Sequence, residues 1–173
     1  MNNVKERAKK IKLMVFDVDG VLTNGQLMFT EDGIELKAFN SLDGHGIKML
    51  HQAGISTAII TGRTSNIVIN RAKALGITYL YQGREDKKQA LLELLNETSY
   101  SLEEVGYVGD DLPDLGAIRA AGLGIAVANA HWFVKENAHW KTSLPGGSGA
   151  AREICDLILD AQNKLTPLLN AYL

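Results

Sequence analysis

Two carboxylates follow directly on the first apolar run of the chain. Asp17 and Asp19 come after residues 11–16 and precede Gly20. Side chains two residues apart on an extended strand point the same way, so both carboxylates are expected together at the carboxyl end of that strand. This placement suits acid, base or metal-ligand chemistry. Aspartate and glycine also favour turns, so the motif alone is equally compatible with an Asx-type turn.

Groups that suit an anion follow the next two runs. Thr61, Gly62 and Arg63 come after residues 56–60 and offer a hydroxyl, an unobstructed backbone N–H and a guanidinium, all suited to phosphate or carboxylate oxygens. Lys87 opens a predicted helix, where a cation opposes the helix dipole unless it serves an anion. The plain alternatives are a helix N-terminus for the first motif and a solvated lysine for the second.

Three carboxylates crowd one five-residue segment, at Asp110, Asp111 and Asp114. A helix N-cap with an acidic first turn explains one or two of them, but hardly all three. Carboxylates at this density usually need a cation. Mg²⁺ suits the segment because it takes hard oxygen ligands and keeps water and substrate phosphate among them.

The elements that must position these groups alternate along the chain. Short apolar runs typical of buried parallel strands occur at residues 11–16, 56–60, 78–81, 105–108 and 124–128. Stretches with helical spacing lie between them, at residues 47–52, 67–75, 86–95 and 112–121. The alternation predicts an α/β fold, a Rossmann-like parallel sheet with helices on both faces. Ligands bind beyond the carboxyl ends of the strands in such sheets.

Two more segments complete the predicted organisation. Strand-like runs at residues 26–30 and 34–39 flank a turn sequence and predict a small β-hairpin, within about residues 25–40, inserted after the first strand. A last long helix is expected over residues 150–165, followed by a tail beyond Pro167 that frays or docks on a partner. No repeat or linker divides the chain, so we expect one domain, residues 1–173, with its C-terminal helix and tail at about 148–173.

The overall composition of the chain indicates which classes of partner to expect. The chain has 173 residues, 46% of them hydrophobic, and a formal net charge of -2. Scattered lysine and arginine argue against nucleic acid and favour a small-molecule partner. No apolar run approaches the roughly 20 residues needed to cross a membrane, and residues 1–12 lack a signal-peptide core. A lone cysteine, Cys155, is consistent with a reducing cytoplasm.

Four polar clusters thus end successive strands and converge on one crevice. Their order resembles the haloacid dehalogenase superfamily, whose motifs are a DxD after the first strand, a Thr or Ser after the second, a Lys further on and a final acidic cluster. The resemblance covers most of the chain and implies a Mg²⁺-dependent phosphatase. Members often carry a cap domain over the site; a hairpin alone stands at that insertion point here, which implies a capless domain.

The resemblance also implies the catalytic and metal-binding roles. Asp17 is the nucleophile and a Mg²⁺ ligand, and Asp19 is the general acid/base whose backbone carbonyl also binds the metal. Asp110 is the third protein ligand. Asp111 or Asp114 supports the metal, and the sequence leaves that choice open.

The phosphoryl group is expected to be held by three further residues. By the same resemblance, Thr61 and the Gly62 N–H bind it and Lys87 neutralises its charge. Asp19 would protonate the leaving alkoxide and later deprotonate the water that cleaves the aspartyl phosphate. Without such cations an anionic nucleophile would be repelled by an anionic phosphate.

A narrower resemblance rests on longer motifs, which are FDVDGVLT (16–23), ELKAFN (35–40), DGHGI (43–47), IITGR (59–63), GDDL (109–112) and GGSGAARE (146–153). Together these resemble the 3-deoxy-D-manno-octulosonate 8-phosphate phosphatase family. This implies conversion of that phosphate to the free sugar acid for lipopolysaccharide biosynthesis. It also implies a homotetramer whose hairpins associate, with the C-terminal segment, residues 146–152, near a neighbouring active site.

Such a substrate carries a carboxylate as well as a phosphate, so a second anion-binding group is needed. Arg63 is best placed by its motif, and Lys48, Arg71 and Arg152 are further candidates. The segment 40–44 is expected to line the same pocket in a family-like assembly. The predicted substrate-binding set is Asp19, Asn40, Asp43, Gly44, Lys48, Thr61, Gly62, Arg63, Arg71, Lys87 and Arg152.

Three alternatives stay open at this point. A phosphatase for a nine-carbon keto-sugar-acid 9-phosphate would share these motifs. A phospho-acceptor signalling domain also uses an aspartate and Mg²⁺, but Asp19 argues against it because it would speed hydrolysis of the aspartyl phosphate. A catalytically silent assembly module is disfavoured because every named catalytic position holds a competent residue.

Overall fold

The computed structural model describes residues 2–173; Met1, the first residue of the predicted domain, lies outside them. The strands in this part of the chain are β1 (Leu13–Phe16), β2 (Met28–Phe29), β3 (Glu35–Leu36), β4 (Ser56–Ile60), β5 (Tyr79–Tyr81), β6 (Val105–Gly109), β7 (Leu123–Ala126) and β8 (Trp140–Lys141). The helices are α1 (Asn2–Ala8), α2 (Ser41–Gln52), α3 (Asn66–Leu75), α4 (Lys87–Glu97), α5 (Leu112–Ala120), α6 (Trp132–Asn137), α7 (Ala150–Ala161) and α8 (Leu165–Asn170).

Six of the strands form one parallel sheet in the order β5-β4-β1-β6-β7-β8. All residues of β1, β6 and β7 are buried, as expected where helices cover a parallel sheet. Helix α2 packs against α7, and α4 against α5. The predicted Rossmann-like α/β fold is therefore confirmed.

The crevice of this sheet lies where the strand order reverses. β1 is central, and its last residue, Phe16, is in register with Ile59 of β4 and Val108 of β6. The chain leaves β1 for β4 on one side and later returns to β6 on the other side. Ligands bind at such switch points, and the residues after all three strands meet there.

The predicted hairpin forms a separate two-stranded antiparallel sheet. Its paired strands β2 and β3 are only two residues each, shorter than the predicted runs of residues 26–30 and 34–39. Gly33 adopts a φ of 79° and donates its N–H to Thr30 O (2.9 Å), which closes the turn. The apolar side chains of Leu27, Phe29 and Ile34 are exposed, so no element within residues 2–173 covers them.

The C-terminal prediction is wrong in one respect, because residues 150–165 do not form one helix. Helix α7 ends at Ala161, where Asn163 adopts a left-handed φ of 57° and Lys164 N donates to Leu159 O (2.8 Å). This is the hydrogen bond of a Schellman-type helix end. A separate helix, α8, follows and includes Pro167, so the tail is helical to Asn170.

Other boundaries differ because local sequence signals are weak. Helix α2 begins at Ser41, six residues before the predicted 47–52 segment, since Gly44 and Gly46 obscure its helical pattern. Elements α1, α6 and β8 were not predicted, and each is short. Within the described residues no helix is both long and apolar enough to cross a membrane.

Candidate active site

Backbone hydrogen bonds carry the sheet ladder into the first residue after each central strand. Asp17 N donates to Val108 O (3.1 Å), and Thr61 N donates to Tyr81 O (2.9 Å). Asp17 and Thr61 are buried. The backbone at both positions is therefore held by the sheet, which places the two side chains at its edge.

These strand ends enclose a crevice of about 260 Å³. The lining residues come from four strand ends and the helices that follow them: Asp17, Asp19, Thr61, Gly62, Arg63, Glu85, Lys87, Asp110, Asp111, Pro113 and Asp114. All the residues for which we predicted catalytic or metal roles are in this set, so the structure brings them together.

A buried charge cluster forms the floor of the crevice. Lys87 Nζ lies 2.8 Å from Asp114 Oδ1 and 3.1 Å from Asp17 Oδ1. Tyr107 donates its hydroxyl to Asp114 Oδ1 (2.9 Å), and Asp114 Oδ2 accepts the backbone N–H of Asp110 (3.2 Å). Asp114 thereby fixes both the lysine and the loop that carries Asp110.

The two candidates for metal support have different surroundings. Asp111 is the exposed N-cap of α5 and accepts the N–H of Leu112 (2.8 Å). Asp114 is buried, and its carboxylate lies beside those of Asp17 and Asp110. The geometry thus brings Asp114, and not Asp111, to the carboxylate cluster.

The electrostatics of this cluster oppose negative charge. Burial, and after it the charge of Asp114, raise the pKa of Asp17 to about 8 and that of Asp110 to about 7. Burial disfavours the charged form of Lys87, but the charges of Asp17 and Asp114 outweigh this and raise its pKa. When all three carboxylates are ionised, they carry more negative charge than Lys87 alone neutralises.

The residues present fit a divalent cation. Asp17, Asp110 and Asp114 each offer a carboxylate oxygen within 4.8 Å of the others. Asp17 Oδ1 is buried and, among the described residues, has no hydrogen-bond donor of good geometry. Hard carboxylate oxygens with unmet charge are the ligands that Mg²⁺ takes.

Close packing at Gly20 brings the two acidic loops together. Gly20 has a φ of 90°, and a Cβ atom there would overlap the Asp110 carboxylate. Any larger residue would push Asp110 away from Asp17. Glycine at this position is therefore a geometric requirement of the cluster.

Sequence reasoning missed three charged residues at the site. Glu85 lines the crevice beside Gly62. Lys37 pairs with Asp19 and with Glu35 (3.3 Å), and Glu35 in turn accepts from Arg63 (2.8 Å). Glu35 lies on β3 and Lys37 follows that strand directly. Residues two apart in the predicted run 34–39 share a face, which was the available signal. The residue types alone did not show that this face meets Asp19.

Several predicted substrate-binding residues do not line the crevice of this chain. Asp43 accepts the backbone N–H groups of Gly149 (3.3 Å) and Arg152 (2.9 Å) at the start of α7. The Arg152 side chain donates instead to Asp156 (2.8 Å). Within one chain, these interactions stabilise helix α7 and do not bring either side chain to the crevice.

The remaining members of that group lie in the same region. Arg71 donates to Asn40 O (3.2 Å), lies over the Phe39 ring and packs against Gly44. Lys48 is exposed on α2. Of the candidates for binding a substrate carboxylate, only Arg63 lines the crevice.

Known proteins that resemble this chain include phosphatases of one superfamily. A family model described as haloacid dehalogenase-like hydrolase matches residues 79–154. The 3-deoxy-D-manno-octulosonate 8-phosphate phosphatase of Yersinia pestis is 48% identical over 164 residues, which are 95% of this chain and 88% of that protein. The enzyme of that name from Escherichia coli K12 is 46% identical over 94% of this chain and 87% of its own length.

A solved structure resembles the chain throughout its length. It is the 3-deoxy-D-manno-octulosonate 8-phosphate phosphatase of Moraxella catarrhalis, in complex with a magnesium ion, a phosphate ion and the sugar acid. The sequence identity is 45%, the TM-score is 0.98, and the match covers 100% of this chain and 99% of that one.

Proposed function

We infer that this chain, which belongs to the 3-deoxy-D-manno-octulosonate 8-phosphate phosphatase family of haloacid dehalogenase-like hydrolases, hydrolyses that phosphate to the free sugar acid and inorganic phosphate. The observation that carries the inference is the buried cluster of Asp17, Lys87 and Asp114 at the switch point of the sheet, with Asp19 and Thr61 in the same crevice. By this activity the protein serves lipopolysaccharide biosynthesis.

The cofactor is Mg²⁺. Asp17, Asp110 and the backbone carbonyl of Asp19 would hold it, with Asp114 in support and Asp111 further out as the cap of α5. When bound, the ion neutralises charge on the carboxylates and on the phosphoryl oxygens. The related Moraxella protein, crystallised with magnesium and phosphate, supports this assignment.

The first half-reaction transfers the phosphoryl group to Asp17. The Asp17 carboxylate attacks phosphorus, and Lys87, 3.1 Å from it, favours the ionised form that attack requires. Thr61 and the Gly62 N–H hold the phosphoryl oxygens. As the P–O bond breaks, Asp19 donates a proton to the leaving alkoxide, because an alkoxide is a poor leaving group without one.

The second half-reaction releases phosphate. Asp19, now a carboxylate, takes a proton from a water molecule, and the water oxygen bonds to phosphorus as the Asp17–phosphorus bond breaks. Lys87 lies beside Asp17 and therefore close to the phosphoryl charge in both half-reactions. Asp19 therefore serves first as the acid and then as the base.

Arg63 is the proposed partner of the substrate carboxylate. It lines the crevice with 45% of its side chain exposed, and one nitrogen of its guanidinium group pairs with Glu35. Six further predicted residues could contact substrate only in the crevice of a neighbouring subunit. They are Asn40, Asp43, Gly44, Lys48, Arg71 and Arg152. They are proposed on that basis alone.

We further propose a cytoplasmic homotetramer of single capless domains. The hairpin exposes Leu27, Met28, Phe29, Ile34 and Leu36, and apolar patches of this kind mark protein interfaces. An open crevice cannot by itself exclude water. Subunits that pack through the hairpins, with C-terminal segments near neighbouring sites, would close it.

The test is phosphate release from eight- and nine-carbon 2-keto sugar-acid phosphates, with Mg²⁺ and with EDTA. Selective, EDTA-sensitive hydrolysis of the eight-carbon substrate is expected. A preference for the nine-carbon 9-phosphate would retain the mechanism and change the substrate. Absence of turnover with either, together with a long-lived phosphoprotein, would favour a signalling domain; absence of both would favour a silent assembly module.

A further inference from the structure

Lys37, at the base of the hairpin, has a buried side chain that contacts Asp19, a residue lining the crevice. Only 3% of its side chain is exposed, and its ammonium group contacts the carboxylates of Asp19 and Glu35. Burial of a charge is costly unless it is paired, and the two carboxylates supply that pairing. The lysine therefore has a fixed position at the end of β3.

The two oxygens of the Asp19 carboxylate are in different surroundings. Oδ1 accepts the hydrogen bond from Lys37. Oδ2 lies 3.9 Å from Arg63 Nε, beyond hydrogen-bond distance. Among the described residues Lys37 is thus the one side-chain donor to Asp19, and it leaves Oδ2 available.

We propose that Lys37 is a positioning residue for the acid/base Asp19, fixing the carboxyl group through Oδ1 so that Oδ2 exchanges the proton. The inference rests on the proposed function. The Oδ2 proton passes to the alkoxide oxygen as the phosphorus–alkoxide bond breaks and the phosphorus–Asp17 bond forms. Oδ2 regains a proton from the water that displaces phosphate from Asp17.

A purely structural role for Lys37 makes a different prediction. Glu35 also accepts from Arg63 at 2.8 Å, so the hairpin stays tied to the body of the molecule when Lys37 is absent. A loss of activity on removing the Lys37 ammonium would then come from Asp19 and not from a detached hairpin. Misplacement of a catalytic group by about 1 Å costs about 100-fold.

The experiment compares two leaving groups in Lys37→Met and in the conservative Lys37→Arg. The sugar-acid phosphate releases an alkoxide that needs a proton, whereas 4-nitrophenyl phosphate releases a phenolate that does not. We expect Lys37→Met to lower kcat/KM about 10- to 100-fold for the alkyl phosphate. For the aryl phosphate we expect a change below about threefold, and in Lys37→Arg a partial recovery with the alkyl phosphate.

Thr30→Val provides the matched hairpin control. Thr30 Oγ1 accepts the N–H of Ile34 (3.0 Å) at the hairpin turn, away from Asp19. Its loss is expected to affect both substrates equally. Thermal unfolding checks that each variant folds, and Lys37→Gln replaces Lys37→Met if the latter does not.

Equal losses for the two substrates, or no loss, in folded Lys37→Met or Lys37→Gln would overturn the positioning role. A wild-type protein that hydrolysed neither substrate would instead refute the proposed function. The two failures are therefore distinguishable in one set of measurements.

Discussion

At the residue scale, Asp17, the proposed nucleophile, lies in surroundings that cost the fold stability. It is buried, Asp114 lies close by, and its Oδ1 atom has no hydrogen-bond donor of good geometry among residues 2–173. Such a group lowers the stability of the metal-free protein whenever it is ionised. The same unmet charge is what binds a divalent cation.

This arrangement predicts a pH-dependent stability for the metal-free protein. The pKa of Asp17 rises from 3.8 to about 8 and that of Asp110 from 3.8 to about 7 on folding. A group whose pKa is raised by folding stabilises the fold fully below its unfolded pKa, and the contribution is lost as the pH rises through the folded value. The midpoint temperature of thermal unfolding in EDTA should therefore decrease as the pH rises from about 5 to about 8.

The control for this prediction is the ion itself. Mg²⁺ should raise the unfolding midpoint more at the upper end of this range than at the lower end, because it binds the ionised carboxylates. Asp17→Asn should flatten the decrease. A midpoint in EDTA that is level, or that rises with pH, would contradict the assigned surroundings.

Replacement of Asp17, the proposed nucleophile, gives the second prediction. Asp17→Asn keeps the shape of the side chain but removes the attacking oxygen anion, so turnover should fall by at least about 1000-fold. Circular dichroism should show an intact fold. Asp160→Asn, an exposed aspartate on α7 paired with Lys5, should retain wild-type turnover. Substantial activity in Asp17→Asn would refute the mechanism.

At the scale of elements, the apolar periodicity of the sequence predicted the buried strands of the central sheet. Strand β4 coincides with its predicted residues 56–60, because a β-branched apolar run buried by a sheet has few other readings. The placement of Asp17, Thr61 and Asp110 followed from strand ends alone. Two-residue β8 and six-residue α6 depend on tertiary contacts and leave no periodic signal.

The direction of side chains could not be predicted in the same way. Asp43 belongs to a motif that indicated the substrate pocket, yet its carboxylate caps α7. Lys37 belongs to a motif whose function was not evident, yet it contacts Asp19. A motif identifies which residues matter, whereas long-range packing decides what they contact.

The cap of α7 carries the third prediction. Asp43 is buried and accepts two backbone N–H groups at the start of that helix. Asp43→Ala should lower the free energy of unfolding by about 2 kcal/mol, because both donors lose their partner. Asp160→Ala, which removes an exposed ion pair from the same helix, should cost less than about 0.5 kcal/mol. Denaturant unfolding measures both, and equal effects would contradict the capping role.

For the whole molecule, the hairpin is a part whose apolar side chains stay exposed in the described chain. A two-stranded sheet is marginally stable on its own, and this one presents Phe29 and Ile34 to solvent at 55% and 61% exposure. Its base nevertheless reaches Asp19 through Lys37. A partner that covers the apolar side would therefore also stabilise a contact of Asp19, the proposed acid/base.

The last prediction tests that coupling. Phe29→Glu combined with Ile34→Glu places charges on the apolar side of the hairpin, so the assembly should dissociate toward smaller species in sedimentation velocity. Because Lys37 lies on the same hairpin, kcat/KM should fall more for the alkyl than for the aryl phosphate. Trp132→Glu, which changes a residue with 60% exposure outside the hairpin, should keep the wild-type assembly and selectivity. Dissociation without a change in selectivity would separate assembly from the positioning of Asp19, and an unchanged sedimentation coefficient would show that the hairpin surface is not the subunit interface.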